Sequence, residues 1–250
     1  AIPAQSGGLS KIVKNRFLTL IVPAIVVAAI YFAIRTVLGK DGPPLIPRIF
    51  YGYLHLWYLY ALFEIAVVVA AIDLFLRPSN RSWLVVILGF YLMSHLLPWT
   101  PLNLGITLAP YYVLGVLVYR NPAAFRNRSL IVTAVILSVI GLAMQGGAFF
   151  GYVDISGWIS PVFSAALIVS LMFFMPRIKK IEWIGIYSYA IYLWHPAANA
   201  AAREVSQKLG LLSIPELFIL GTIAGVFVPI VIYRIISRGP YLFSSALIGR

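Results

Sequence analysis

The chain has 250 residues, of which 62% are hydrophobic and 10% charged, and its mean hydropathy is +0.95. Soluble domains are only about 45 to 50% apolar, so a soluble globular fold is excluded and a polytopic membrane protein is indicated. Cysteine is absent, which removes disulfides and thiolate nucleophiles, and three scattered histidines do not make a zinc site. The net charge of +12 is spread between apolar runs rather than gathered in a patch, so it speaks for membrane topology and against nucleic-acid binding.

The first ten residues, AIPAQSGGLS, lack the order of a signal peptide and read as the end of a loop, with something expected upstream. Lys11, Lys14 and Arg16 lead into an apolar run over 17–38 that holds Pro23 in its first two turns. A bilayer core takes about 20 apolar residues. Further runs follow at 50–76, 82–97, 103–119, 129–148, 158–176, 184–201 and 215–236. The link Pro98-Trp99-Thr100-Pro101 leaves room only for a tight turn. No repeat or soluble domain interrupts the series, so the expectation is all-α: one polytopic transmembrane helical bundle of about eight spans over 1–250.

Loop charge supports the count. Loops on the N-terminal side hold Lys11, Lys14, Arg16, Arg77, Arg81, Arg120, Arg126, Arg128, Arg177, Lys179, Lys180, Arg234, Arg238 and Arg250, and the other side holds Arg35, Lys40, Arg48, Arg203 and Lys208. Fourteen against five, all 19 basic residues, puts both termini in the cytoplasm and requires an even number of spans.

In the second run Tyr53, Trp57, Tyr60 and Glu64 recur at i, i+4, i+7 and i+11, an aromatic stripe ending in a carboxylate. A charge at mid-bilayer costs about 2.5 to 3.5 kcal/mol, so Glu64 is expected to be protonated, paired with another group or beside a wet cavity. Tyr51, Tyr53 and Trp57 serve equally well as an interfacial aromatic belt. His55 lies on a neighbouring face with Tyr58.

The run 184–201 carries a single file of polar groups. Ser188, Tyr192, His195 and Asn199 share one helix face, and lipid offers them no partner, so the face is expected to point inward. Pro196 cannot donate to the Tyr192 carbonyl, which leaves that oxygen free and the helix prone to kink. A hydrogen-bonded packing face explains the pattern as simply as a functional site does. Helix direction places His55, His95 and His195 in the outer leaflet, which suggests a wet vestibule, with His95 as an ordinary interfacial residue. The clusters Arg120, Arg126, Arg128 and Arg177, Lys179, Lys180 fit positive-inside topology and anionic-lipid contact, or the phosphates of a nucleotide-bearing substrate.

Three blocks together resemble the acyltransferase 3 family of bacterial integral-membrane O-acyltransferases. They are Lys14-Asn15-Arg16 leading to Pro23, His55-Leu56-Trp57-Tyr58-Leu59, and Gly185-Ile186-Tyr187-Ser188-Tyr189-Ala190-Ile191-Tyr192-Leu193-Trp194-His195-Pro196. Ala109-Pro110-Tyr111-Tyr112 through Gly115 is similar to a fourth, and Thr19 stands where a second Arg is common. The resemblance implies acyl transfer, acetyl foremost, from acyl-CoA as co-substrate to a hydroxyl of a glycan, glycolipid or small molecule. It implies a multi-pass protein of the bacterial inner membrane, with no bound cofactor or metal. Ser188, Tyr192, His195 and His55 are then the candidate catalytic residues. Trp57, Tyr58, Glu64 and Asn199 are candidates for binding the acceptor, and Arg16, Arg120, Arg126 and Arg128 for binding the donor. The family usually has ten spans and an Arg-x10-His motif in the first. No Arg here precedes a His at that interval, so the chain is expected to be a fragment or a shortened paralogue lacking two spans and the presumed base. A transporter or flippase would also line a cavity with polar groups, but would more often show an inverted repeat. A non-catalytic paralogue is the third reading.

Overall fold

A computed structural model of the chain describes residues 8–37, 39, 54–97, 104–149, 160–174, 179–210, 213–239 and 247. The 98–101 link, Tyr51, Tyr53, Arg177 and the first seven residues lie outside these. Helix α1 (Gly8–Arg16), a π-helical turn (Phe17–Ile21) and α2 (Val22–Val37) run on without a break. A 3-10 turn (Leu54–Leu56) opens α3 (Trp57–Leu76), followed by α4 (Asn80–Leu96), α5 (Leu104–Arg120) and the short α6 (Pro122–Phe125). Helices α7 (Arg128–Phe149), α8 (Ser160–Phe174), α9 (Lys179–Ile186), α10 (Ser188–Lys208) and α11 (Ile214–Ile236) complete the order. No strand occurs among the described residues.

Among the described residues, four helices are long and apolar enough to cross a membrane: Gly8–Val37, Trp57–Leu76, Arg128–Gly147 and Pro215–Ile236. The other runs are helical too, but α4 and α5 have 17 residues each and α8 has 15. Helix α10 is long enough, yet its second half carries Arg203, Glu204 and Lys208. The boundaries follow capping chemistry. The Ser82 amide donates to Ser79 Oγ at 3.2 Å ahead of α4, and the Ser129 amide to Asn127 Oδ1 at 2.9 Å ahead of α7. Ser213 and Glu216 form a capping box on α11.

Two boundaries depart from the sequence reading. The first helix begins at Gly8, not near residue 17, because GLSKIVKNR is amphipathic and too charged to register as an apolar run. The expected helix over 184–201 is broken at Tyr187 (φ −97°, ψ 1°), whose amide bonds back to the Ile184 carbonyl at 2.9 Å. The Tyr187 ring sits edge-on to Trp183 and Tyr233 at 5.8 and 5.1 Å, with the Arg234 guanidinium 5.8 Å from its centre. That aromatic clasp holds the corner between α9 and α10.

The chain divides into two compact units, one of Ala1–Gln5 and Val69–Arg177 and the other of Ser6–Val68 and Ile178–Arg250. In the first, Arg120 grips Asp73 with both ends of its fork, Nη1 to Oδ1 at 2.9 Å and Nη2 to Oδ2 at 2.7 Å, and lies over the buried Trp83 ring. Asn80 Nδ2 donates to Asn121 Oδ1 at 2.7 Å beside it. These contacts fasten the ends of α3, α4 and α5. Helices α7 and α8 meet through Ala134, Ala166 and Val169 and through the buried hydroxyls of Ser138 and Ser170, 3.0 Å apart.

Close approach of α7 and α8 depends on Gly141. A Cβ there would lie 2.5 Å from Phe163 Cβ and 2.7 Å from its Cγ, atoms fixed to the α8 backbone that cannot swing aside. Gly141→Ala is expected to cost about 1 to 3 kcal/mol by overpacking. Gly225→Ala on α11 meets the amide oxygen of Asn199 instead, which is able to turn away. Thermal unfolding in detergent should therefore fall clearly for the first variant and little for the second. An unchanged midpoint for Gly141→Ala would show that the two helices do not touch there.

The core of the second unit gathers Ala24, Val27, Ala28 and Tyr31 of α2, Leu56 and Leu59 around the start of α3, and Leu193 and Trp194 of α10. Small residues on one stripe of α2 let the helices close up, and α10 packs along α11 beside them. The buried stripe of α10 is Ala190, Leu193, Trp194 and Ala198, so its polar file runs along the margin of the packed face, not through the middle.

Candidate functional site

Proline positions organise the second unit. Pro23 has no N–H to give the Thr19 carbonyl four residues back, and the chain there is a π-turn, so that oxygen faces outward from its own helix. Tyr189 Oη donates to it at 2.7 Å, tying α10 to the start of α2. Pro196 likewise frees the Tyr192 carbonyl, and His195 Nδ1 lies 3.0 Å from that oxygen and 3.1 Å from the Ile191 carbonyl. Both neighbours are acceptors, so Nδ1 carries a proton, which in the neutral ring leaves the lone pair on Nε2.

Tyr189→Phe leaves the Thr19 carbonyl without a donor in a half-buried position and is expected to cost about 1 to 3 kcal/mol. Unfolding of the purified protein measures this, and no change would mean that the bond carries no weight.

Three aromatic groups meet beside this corner. The ring centre of His55 lies 5.0 Å from that of His195 and 5.1 Å from that of Tyr192, both edge-on. Tyr192 Oη donates to the backbone carbonyl of His55, which pins the 3-10 turn to α10. Tyr31 Oη donates to the Leu193 carbonyl at 2.6 Å, and its ring stands 6.2 Å from His55 and 6.0 Å from Trp194. Both ring nitrogens of His55 are buried and neither has a hydrogen-bond partner. The Tyr192 and Leu193 carbonyls approach the ring, but not in hydrogen-bond geometry. His55, with both ring nitrogens buried and unpartnered, thus stands against a second imidazole, and two such groups can hold or pass a proton.

The family model described as an acyltransferase domain, acyltransferase 3, matches residues 4–234. The chain belongs to the acyltransferase 3 family. No curated protein and no solved structure matches it.

The fold brings the acyltransferase 3 blocks around His55 and His195 together although 140 positions separate the two residues, and Thr19 of the Lys14–Pro23 block joins them through Tyr189. The other expected site residues distribute around them. The Tyr58 ring is tilted against that of Tyr192 at 5.7 Å and edge-on to that of Trp57 at 6.1 Å, and is 39% exposed, so an aromatic ledge leads to the histidines. Ser188 is the first residue of α10 and exposed, and at 1.5 Å per residue it stands about 10 Å from His195 along the axis, beyond hydrogen-bond reach. Asn199, a turn past His195, rests on Gly225. Glu64 is half-buried on α3, about 13 Å along the chain axis from His55, and has neither an ion pair nor a hydrogen bond among the described residues. Arg16, Arg126 and Arg128 are exposed, whereas Arg120 is held by Asp73. Among the described residues no three His, Asp or Glu side chains converge on a metal position.

Tyr31 was not singled out by sequence reasoning. The available signal was a lone phenol in the aliphatic stretch Ala28–Ile34, since a hydroxyl within lipid must find a partner. Its partner, Leu193 on a distant helix, is not readable from spacing.

Proposed function

We propose that the chain is a membrane-bound O-acyltransferase of the bacterial inner membrane that moves an acyl group, acetyl foremost, from acyl-CoA to a hydroxyl of a cell-surface glycan or glycolipid. Membership of the acyltransferase 3 family supports the reaction class. The observation that carries the site is the His55–His195 pair, two imidazoles 5.0 Å apart with His55 otherwise unbonded. His195 Nε2 takes the proton of the acceptor hydroxyl while its oxygen attacks the thioester carbonyl. The C–O bond forms, the C–S bond breaks, and the proton passes to the departing thiolate. His55 offers an N–H to the oxyanion that develops on the carbonyl. Tyr192 has its proton engaged with the His55 carbonyl, so it holds the 3-10 turn and the imidazole in place. Tyr58 and Trp57 form the surface against which a sugar ring lies, and Arg16, exposed in the same unit, meets the donor's phosphates.

The test is transfer of radiolabelled acetyl from acetyl-CoA to lipid-extracted and polysaccharide acceptors by the purified chain in vesicles. Label in an alkali-labile ester on the acceptor supports the assignment. Free acetate alone, or no turnover with any hydroxyl acceptor, contradicts it.

A further inference from the structure

The first unit contains a groove of about 540 Å³ to which the reaction proposed above assigns no role, within the roughly 300 to 1,000 Å³ of ligand sites. It starts at Phe125 and Asn127, where α6 turns into α7, and continues past Leu130 and Leu137 towards Val162 of α8. Ala134, Ala165 and Ala166 keep its floor low. From Ser129 to Leu137 helix α7 rises about 12 Å, close to the roughly 15 Å of one hydrocarbon leaflet. Beyond the corner the one polar lining residue is Thr133, and the walls at Leu130 and Val162 are 40% and 50% exposed, so the trough lies open along its side.

The corner is cationic. Arg126 and Arg128 flank Asn127, both are exposed, and neither makes an ion pair or a side-chain hydrogen bond among the described residues. Asp73, an acid of this unit, is already taken by Arg120. We infer that the groove holds one acyl chain of an anionic phospholipid, with the headgroup phosphate at Arg126 and Arg128. A chain-length apolar trough open along its side matches a ligand that enters from the bilayer, and two unpaired guanidinium groups at one end match its charge. Coenzyme A, arriving from water, would have no use for the open flank.

Native mass spectrometry of the full chain in mild detergent tests this, with added dioleoyl phosphatidylglycerol, dioleoyl phosphatidylcholine or coenzyme A. One phosphatidylglycerol should be retained in preference to phosphatidylcholine. The double variant Arg126→Gln with Arg128→Gln should bind it about 25-fold more weakly, at about fivefold per cation near an anionic lipid. Ala165→Trp should remove it by filling the floor, and the arginine pair decides the matter if that variant does not fold. Equal retention of the two lipids, unchanged binding by the arginine variant, or displacement of the lipid by coenzyme A would overturn the assignment.

Discussion

Replacing His195 with alanine is expected to lower acyl transfer by roughly 10²- to 10⁴-fold, the usual contribution of a positioned general base. The protein should remain in the membrane at its normal level, because the imidazole is only half-buried and its hydrogen bonds run to carbonyls of its own helix. Tyr192→Phe is the informative companion. It removes the bond to the His55 carbonyl without touching either imidazole, so it should cost about tenfold, in line with losing one hydrogen bond of about 1.4 kcal/mol. Initial rates for both variants in vesicles check the ranking. Full activity in His195→Ala would remove that residue from the chemistry, and a larger loss in Tyr192→Phe would make the phenol the reacting group.

The second expectation concerns Arg120, which the sequence alone allows as a donor-phosphate ligand. In the structure both fork nitrogens are spent on Asp73, each side chain is 25% exposed, and the guanidinium covers Trp83. Asp73→Ala should therefore destabilise the first unit by about 1.5 to 3 kcal/mol, the range for hydrogen bonds to charged groups. The charge swap Asp73→Arg with Arg120→Asp should restore most of that loss. Unfolding midpoints measure the stability and the KM for the acyl donor measures the alternative. If the swap regains stability and the donor KM stays normal, Arg120 is a brace between helix ends. A swap that is stable yet has a strongly raised donor KM would return Arg120 to the binding site.

Much of the fold was legible because hydropathy reports directly on where a chain avoids water. The apolar runs at 17–38, 50–76, 129–148 and 215–236 fall on the helices long enough to span, Gly8–Val37, Trp57–Leu76, Arg128–Gly147 and Pro215–Ile236. The runs behind α4, α5 and α8 gave helices too, but shorter ones. Residues 8–16 were missed because an amphipathic helix with three cations has no apolar run to detect. The corner at Tyr187 was missed because no proline marks it, and it depends on Tyr233 and Arg234, which approach only in three dimensions.

The site was legible in part for the same reason. Pro196 announces a free carbonyl by its own chemistry, and His195 three residues after Tyr192 is placed to take it. Pro23 makes the same announcement for Thr19, but its donor, Tyr189, comes from 170 residues away and carries no local sign. Helical periodicity put Ser188 and Asn199 on the face of Tyr192 and His195. Direction along the axis then separates them, so that only the middle two reach His55. Glu64 was expected to be protonated, paired or beside a wet cavity, and it stays outside the cluster because α3 carries it away from His55.

A chain without cysteine allows the central claim, that substrates reach His195 at the His55–His195 pair, to be probed one position at a time. His195→Cys and, as a control, the fully buried Leu193→Cys would be exposed in sealed vesicles to a charged methanethiosulfonate reagent, with and without acyl-CoA and acceptor. The account predicts rapid labelling at position 195, slowing when substrates are present, and none at position 193. Equal labelling at the two positions, or labelling at 195 that substrates leave unchanged, would contradict it.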